Sequence, residues 1–121
     1  MEQGIDKARY SVIPRTLIFV FHEGKVLLLR GAKDKRIWAG LYNGVGGHVE
    51  QGEDIYTAAL RELEEETGIS GIPLSLSAVI HVDTEMGTGV QIAVFRAEAV
   101  NESVKASHEG DLHWIPVDGI S

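Results

Sequence analysis

The distribution of glycine leaves few choices for the middle of this chain. Gly40, Gly44, Gly46, Gly47 and Gly52 fall within thirteen residues, and no further glycine follows until Gly68. The first segment is too rich in glycine for a helix or a long strand, because ordering a glycine costs more backbone entropy than ordering any other residue. It reads as short strand pieces around 42–49 and an ordered loop. The glycine-free stretch after it has helical periodicity. Ile55, Ala59 and Leu63 recur every four residues, and Ala58 and Leu60 widen the apolar stripe. Glu53 and Asp54 suit the positive end of a helix, and Gly68 suits the position just past its other end. The spacing predicts a helix over about 54–67.

Strands flank that helix on both sides. Residues 13–21 are rich in β-formers, 22–25 carry a turn glycine and 26–30 resume the apolar run, which together read as a hairpin. After the helix, 74–82 reads as a half-buried strand, 89–100 as a second long one and 113–117 as a short last one. Residues 1–10 form a polar lead-in and 31–36 a polar loop, while "VDGIS" at the end reads as an element cut short. The pattern is that of an α+β domain with a mixed sheet, and 121 residues fit a single domain over 1–121. A composition 44% hydrophobic and 24% charged supplies a packed core. A net charge of −7 gives no footprint for a nucleic-acid backbone. The apolar run at 16–21 is far short of a membrane span. With no cysteine there is neither a disulfide framework nor a thiolate metal site, which agrees with a cytoplasmic location.

The acidic end of the helix poses a problem. Glu62, Glu65 and Glu66 sit at i, i+3 and i+4 and share one face, while Glu64 points elsewhere. Like-charge pairs at these spacings cost roughly 0.2–0.5 kcal/mol each. The negative helix end adds about 0.3–1 kcal/mol more. Such a run is either a solvated face or the ligand set of a divalent cation. Oxygen donors without cysteine select a hard ion, Mg²⁺ or Mn²⁺. A cation would also let an acidic chain act on an anionic substrate. Gly46 and Gly47 serve a tight turn or close packing, or let main-chain groups approach a metal or a phosphate. Arg61, in acidic surroundings, pairs with a carboxylate, Glu53 being the candidate. None of the five histidines shows zinc spacing on one element; His48, next to the glycines, is the one placed to touch substrate.

These residues form a known pattern. Gly47, five residues, Glu53, seven residues, Arg61-Glu62-Leu63, one residue, Glu65-Glu66, one residue, Gly68-Ile69 matches every specified position of the Nudix box, G-x5-E-x7-R-E-U-x-E-E-x-G-U, where U is bulky and aliphatic. The chain therefore resembles the Nudix hydrolases. The upstream hairpin, "NGVGGHVE" and a late "E…W" are similar to MutT-type members. The resemblance implies an α/β/α sandwich around a mixed sheet, and metal-dependent hydrolysis of a nucleoside diphosphate linked to another group. By position it implies Glu65 and Glu66 as metal ligands, helped by the Gly46 carbonyl. Glu62 becomes a metal-linked carboxylate and the general base, and Arg61 with Glu53 the pair that braces the site. Glu109, five residues before Trp114, resembles a further acid and metal ligand from the loop before the last strand, with Asp111 as the fallback.

The box does not encode the substrate. "YNGVGG" (42–47) resembles a "WNGFGG"-like stretch of members that act on oxidised purine nucleotides, which makes Asn43 a base-binding candidate. Its amide offers donors and an acceptor to a base edge, although Asn-Gly is also a strong turn pair. Thr16 is a second base-pocket candidate, with Gly47 and His48 at the substrate's edge. Trp38 and Tyr42 either stack on a base or fill the core. Three functions stay open. One is a nucleoside triphosphate pyrophosphohydrolase; another is a Nudix hydrolase for a nucleotide sugar or dinucleotide; the third is a non-catalytic nucleotide-binding module, against which the intact glutamates argue. The expected partner is a small nucleoside di- or triphosphate rather than nucleic acid or membrane, met by a monomer or homodimer. In MutT-type members a C-terminal helix closes one side of the base pocket. The chain stops where that helix would begin, so an incomplete base wall is expected.

Overall fold

The computed structural model describes residues 9–31, 42–105 and 110–119; Trp38, His108 and Glu109 lie outside them. Strands β1 (Ser11–His22) and β2 (Lys25–Gly31) form a hairpin turned at Glu23 and Gly24. Then come β3 (Tyr42–Asn43), β4 (Val45–His48), helix α1 (Ile55–Thr67), β5 (Ser75–Asp83), β6 (Thr88–Glu98) and β7 (Gly110–Pro116), followed by a 3-10 turn, Val117–Gly119. The strands make one sheet in the order β3-β2-β1-β6-β5, with β4 also on β1 and β7 also on β2. β1 and β6 run parallel in continuous register from Ser11 opposite Thr88 to Phe21 opposite Glu98. The other pairs are antiparallel, so the sheet is mixed.

One detail of this sheet places the site. β3 pairs with β2, whereas β4 pairs with β1. The switch occurs at Gly44, where a Cβ would lie 2.9 Å from the Phe19 ring and 3.1 Å from the Ile18 carbonyl oxygen. Absence of a side chain lets the path cross from one strand to the other. Gly46 and Gly47 consequently run beside Leu17 and Thr16 in the middle of β1.

α1 begins where the Asp54 carboxylate accepts from the Thr57 N–H at 2.8 Å and from its hydroxyl at 2.9 Å. It ends at Gly68, whose φ of 82° is the left-handed conformation that only glycine adopts cheaply, and whose N–H donates to the Glu64 carbonyl. The helix buries Ala58, Ala59, Leu63 and Thr67. Its apolar side chains pack on the sheet face that carries Ile18, Val20, Leu27, Ala93, Phe95 and Ala97. Burying a side chain the size of Ile18 or Leu63 contributes about 1.5–3 kcal/mol. This packing fixes how the glutamates of α1 face β4.

Three expectations need correction. Ile55 is 44% exposed, because the buried stripe starts a turn later at Ala58 and Ala59. β5 is exposed along its whole length rather than half-buried: among the described residues it is the outermost strand and pairs with β6 alone, and Val79 and Val82 remain 57% and 43% exposed. β7 starts at Gly110 rather than His113, since residues 110–112 continue the ladder opposite 29–31 of β2. Among the described residues α1 is the one α-helix, so a helical layer is seen on one face of the sheet. No helix among them is long and apolar enough to cross a membrane.

Candidate active site

β4, the loop after it and α1 converge on one guanidinium. Arg61 Nε donates to Glu53 Oε2 at 2.7 Å and Nη2 donates to Glu53 Oε1 at 3.0 Å, a two-pronged grip. Nη2 also donates to the His48 carbonyl at 3.0 Å, which ties in the end of β4. Nη1 donates to Glu62 Oε2 at 3.0 Å and to Glu65 Oε1 at 3.3 Å. A planar fork with five N–H groups can serve several acceptors at once, which a lysine could not do in this geometry. The Glu53 and Glu62 side chains are each 14% exposed, so these pairs are shielded better than ordinary surface ion pairs.

The two inner carboxylates are tuned in opposite directions. The Arg61 hydrogen bonds, and then the Glu50 N–H at 3.0 Å, lower the Glu53 carboxyl to about 2. Arg61 is correspondingly locked in its charged form. Burial pushes Glu62 above the usual carboxylate range; Arg61 opposes this, while the charges of Glu65 and Glu66 add to it. Glu53 is therefore a permanent strut for Arg61, and Glu62 is a carboxylate with enhanced proton affinity.

Glycine makes room for this arrangement. A Cβ on Gly47 would lie 2.7 Å from Glu62 Oε1 and closer still to Cδ and Oε2. The space that side chain would fill is occupied by the Glu62 carboxylate. Gly46 rests in the same way on β1, where a Cβ would come within 2.8 Å of the Thr16 carbonyl carbon. The Thr16 hydroxyl donates to the Gly47 carbonyl and accepts from the Gly47 N–H, each at 3.4 Å.

The remaining candidates are placed less centrally. Glu65 is exposed and Glu66 half-buried, both on the same end of α1 as Glu62. Among the described residues no three carboxylates or imidazoles already converge as a closed metal cluster, and Arg61 is shared between Glu62 and Glu65. His48 is exposed at the end of β4. Asn43 is exposed too, and its carboxamide oxygen accepts from the Gly44 N–H at 2.8 Å. Thr16, a base-pocket candidate in the sequence, is only 3% exposed and meets Gly47 rather than open space. Asp111 is exposed on β7 opposite Arg30. His22 and His81 have partners elsewhere, the Ala99 carbonyl and the Tyr10 hydroxyl. Glu109 lies outside the described residues. Sequence reasoning missed the Glu50 N–H and the His48 carbonyl, since both act through the main chain and leave no side-chain signature. It also missed the Gly47–Glu62 contact. The adjacent glycines signalled a close approach without saying by what.

Comparison with known proteins identifies the family. The NUDIX domain family model matches residues 13–120. The chain is 36% identical over 109 residues to the oxidized purine nucleoside triphosphate hydrolase of Danio rerio, covering 87% of this chain and 67% of that protein. Its identity to the Mus musculus protein of the same name is also 36%, over 108 residues and with the same coverage. Among solved structures, the MutT protein of Methanosarcina mazei Go1 superposes with a TM-score of 0.74 at 28% identity, covering 89% of this chain and 79% of that one. With a family model spanning almost all of it, relatives similar along most of its length and a shared fold, this chain belongs to the Nudix family.

Proposed function

We propose that this chain, with a divalent cation bound, hydrolyses nucleoside triphosphates to the monophosphate and pyrophosphate, and that oxidised purine nucleotides are among its substrates. The observation that carries the chemistry is the Glu62 carboxylate, half-buried, raised in proton affinity, seated against Gly47 and held at one oxygen by Arg61. The substrate reading draws on the relatives named as oxidized purine nucleoside triphosphate hydrolases and on the exposed Asn43.

The donor set suits Mg²⁺ or Mn²⁺. The charges of Glu65 and Glu66 disfavour the charged form of Glu62, and every donor is an oxygen. These three, with the Gly46 carbonyl, would hold the ion. When bound, it neutralises phosphate oxygens and makes water more acidic. The protein's own groups do the rest. Glu62 accepts a proton from the attacking water while the water oxygen bonds to phosphorus and the anhydride P–O bond breaks. Arg61 keeps Glu62 aimed, and Glu53 keeps Arg61 in place. Asn43 offers its amide N–H groups to the purine edge, with Gly47 and His48 at the substrate's flank. Glu109 is proposed, by its sequence position alone, as an additional acid. Free nucleotide pools make the cytoplasm the place of action.

A product screen tests the reading. Purified protein with millimolar Mg²⁺ is offered normal and oxidised purine triphosphates, nucleotide sugars and dinucleotides, and the phosphorus products are identified. Equal amounts of pyrophosphate and monophosphate, formed fastest from an oxidised purine, are expected. Turnover restricted to nucleotide sugars or dinucleotides would overturn the substrate. Absence of divalent binding by calorimetry, with and without nucleotide, would overturn the mechanism.

A further inference from the structure

Two polar side chains among the described residues are buried, Thr16 and Thr67. Thr67 is explained by its helix: its hydroxyl donates to the Leu63 carbonyl at 2.7 Å and accepts from the Ile69 N–H at 3.0 Å. Thr16 has no such local reason. Its neighbours on the same face of β1, Ile18 and Val20, are apolar and fully buried, and packing alone would be served as well by valine. A hydroxyl taken out of water must find partners or it costs stability. The partners here are the two main-chain groups of Gly47.

Thr16 also touches the next layer of the site. Its carbonyl fills the space left open by Gly46, and the open space at Gly47 is filled in turn by the Glu62 carboxylate. Thr16, the glycine pair and Glu62 therefore form a continuous stack, from the buried face of β1 to the Glu62 carboxylate. We propose that Thr16 is a positioning residue: acting through Gly47, it sets where the Glu62 carboxylate rests, and it makes no contact with the base. This rests on the reading of Glu62 as the general base, and the role differs from the base-pocket role that the sequence had offered for Thr16.

The test compares Thr16→Val, which keeps the shape and removes the hydroxyl, with Thr16→Ser, which keeps the hydroxyl. Thr16→Val is expected to lower kcat about tenfold for a purine triphosphate while KM stays within about twofold, as a small displacement of a reacting group does. Thr16→Ser should restore kcat to within about twofold of the wild type. A second readout needs no turnover: exchange of the Gly47 amide, followed by NMR, should speed up in Thr16→Val and not in Thr16→Ser. A rise in KM for purine nucleotides at constant kcat would overturn the proposal in favour of direct base contact. Equal loss of kcat in both variants, or unchanged Gly47 exchange in Thr16→Val, would overturn it as well. Failure of the wild type to hydrolyse any nucleotide would instead refute the function above, leaving the amide exchange to decide the role of Thr16.

Discussion

Replacing Gly47 by alanine should separate activity from stability. The new methyl carbon would lie 2.7 Å or less from three atoms of the Glu62 carboxyl group, whereas ordinary contact starts near 3.4 Å. The nearest of them, Cδ and Oε2, must therefore retreat by about 1 Å to reach ordinary contact. What yields is the end of a flexible side chain, so the fold should lose no more than about 1 kcal/mol, at the low end of overpacking costs. The chemistry is less tolerant. A displacement of about 1 Å in a reacting group can cost ~10²-fold in rate, so kcat should fall by about that factor with KM little changed. Gly46→Ala supplies the contrast, because its Cβ would collide with the main chain of Thr16, which cannot rotate away. That variant should lose about 1–3 kcal/mol and melt several degrees lower. Pyrophosphate release under saturating nucleotide, beside thermal unfolding of both variants, measures the two effects. A Gly47→Ala protein with near-normal kcat, or one destabilised as much as Gly46→Ala, would refute the packing of Glu62 against Gly47.

Other expectations follow from the same contacts. Glu62→Gln should lower kcat by about 10²–10⁴-fold with a smaller change in KM, and a variant with near-normal turnover would show the base to lie elsewhere. Because burial raises the Glu62 carboxyl, its stabilising contribution is complete below the unfolded-state pKa and is lost as pH rises through the folded value. Glu62→Gln should therefore match or exceed wild-type stability at neutral pH, as thermal melts would show. Glu53 behaves oppositely: its carboxyl is lowered from 4.5 to about 2, so its contribution is complete above pH 4.5 and lost as pH falls toward 2. Urea unfolding of the wild type and Glu53→Gln should diverge above that window and converge below it. Asn43→Ala should raise KM for purine triphosphates by the equivalent of about 1–3 kcal/mol with kcat little affected. Equal losses on purines and pyrimidines would mean that Asn43, through its bond to Gly44, only shapes the turn.

The sequence made the fold legible where a local pattern had one physical solution. The helix could be bounded to within a residue because Asp54 and Gly68 cap it and no glycine interrupts it. The hairpin and the mixed sheet followed from apolar runs on both sides of that helix. Exposure was read less well, because alternation along a strand does not say how many layers meet it. Residues 74–82 have the composition of a half-buried strand, yet among the described residues β5 lies at the sheet's edge and is exposed along its length. Strand order is a long-range property, decided when β6 pairs in parallel with β1 and leaves β5 outside.

The site divides along the same line. Spacing on one helix put Glu62, Glu65 and Glu66 together, because residues three and four apart share a face whatever the rest of the chain does. Thr16 lies thirty-one residues before Gly47, and nothing in that interval announces their contact. It depends on Gly44, where the strand leaves β2 for β1 and sets Gly46 and Gly47 against Leu17 and Thr16. From Gly47 the contact passes to Glu62, on a helix whose height above the sheet is set by Ala58, Ala59 and Leu63. The position of the carboxylate is thus decided by three separate packings: Gly46 against the Thr16 main chain, Gly47 against the carboxylate itself, and helix against sheet. A one-dimensional motif can record the residues at its ends but not the path between them.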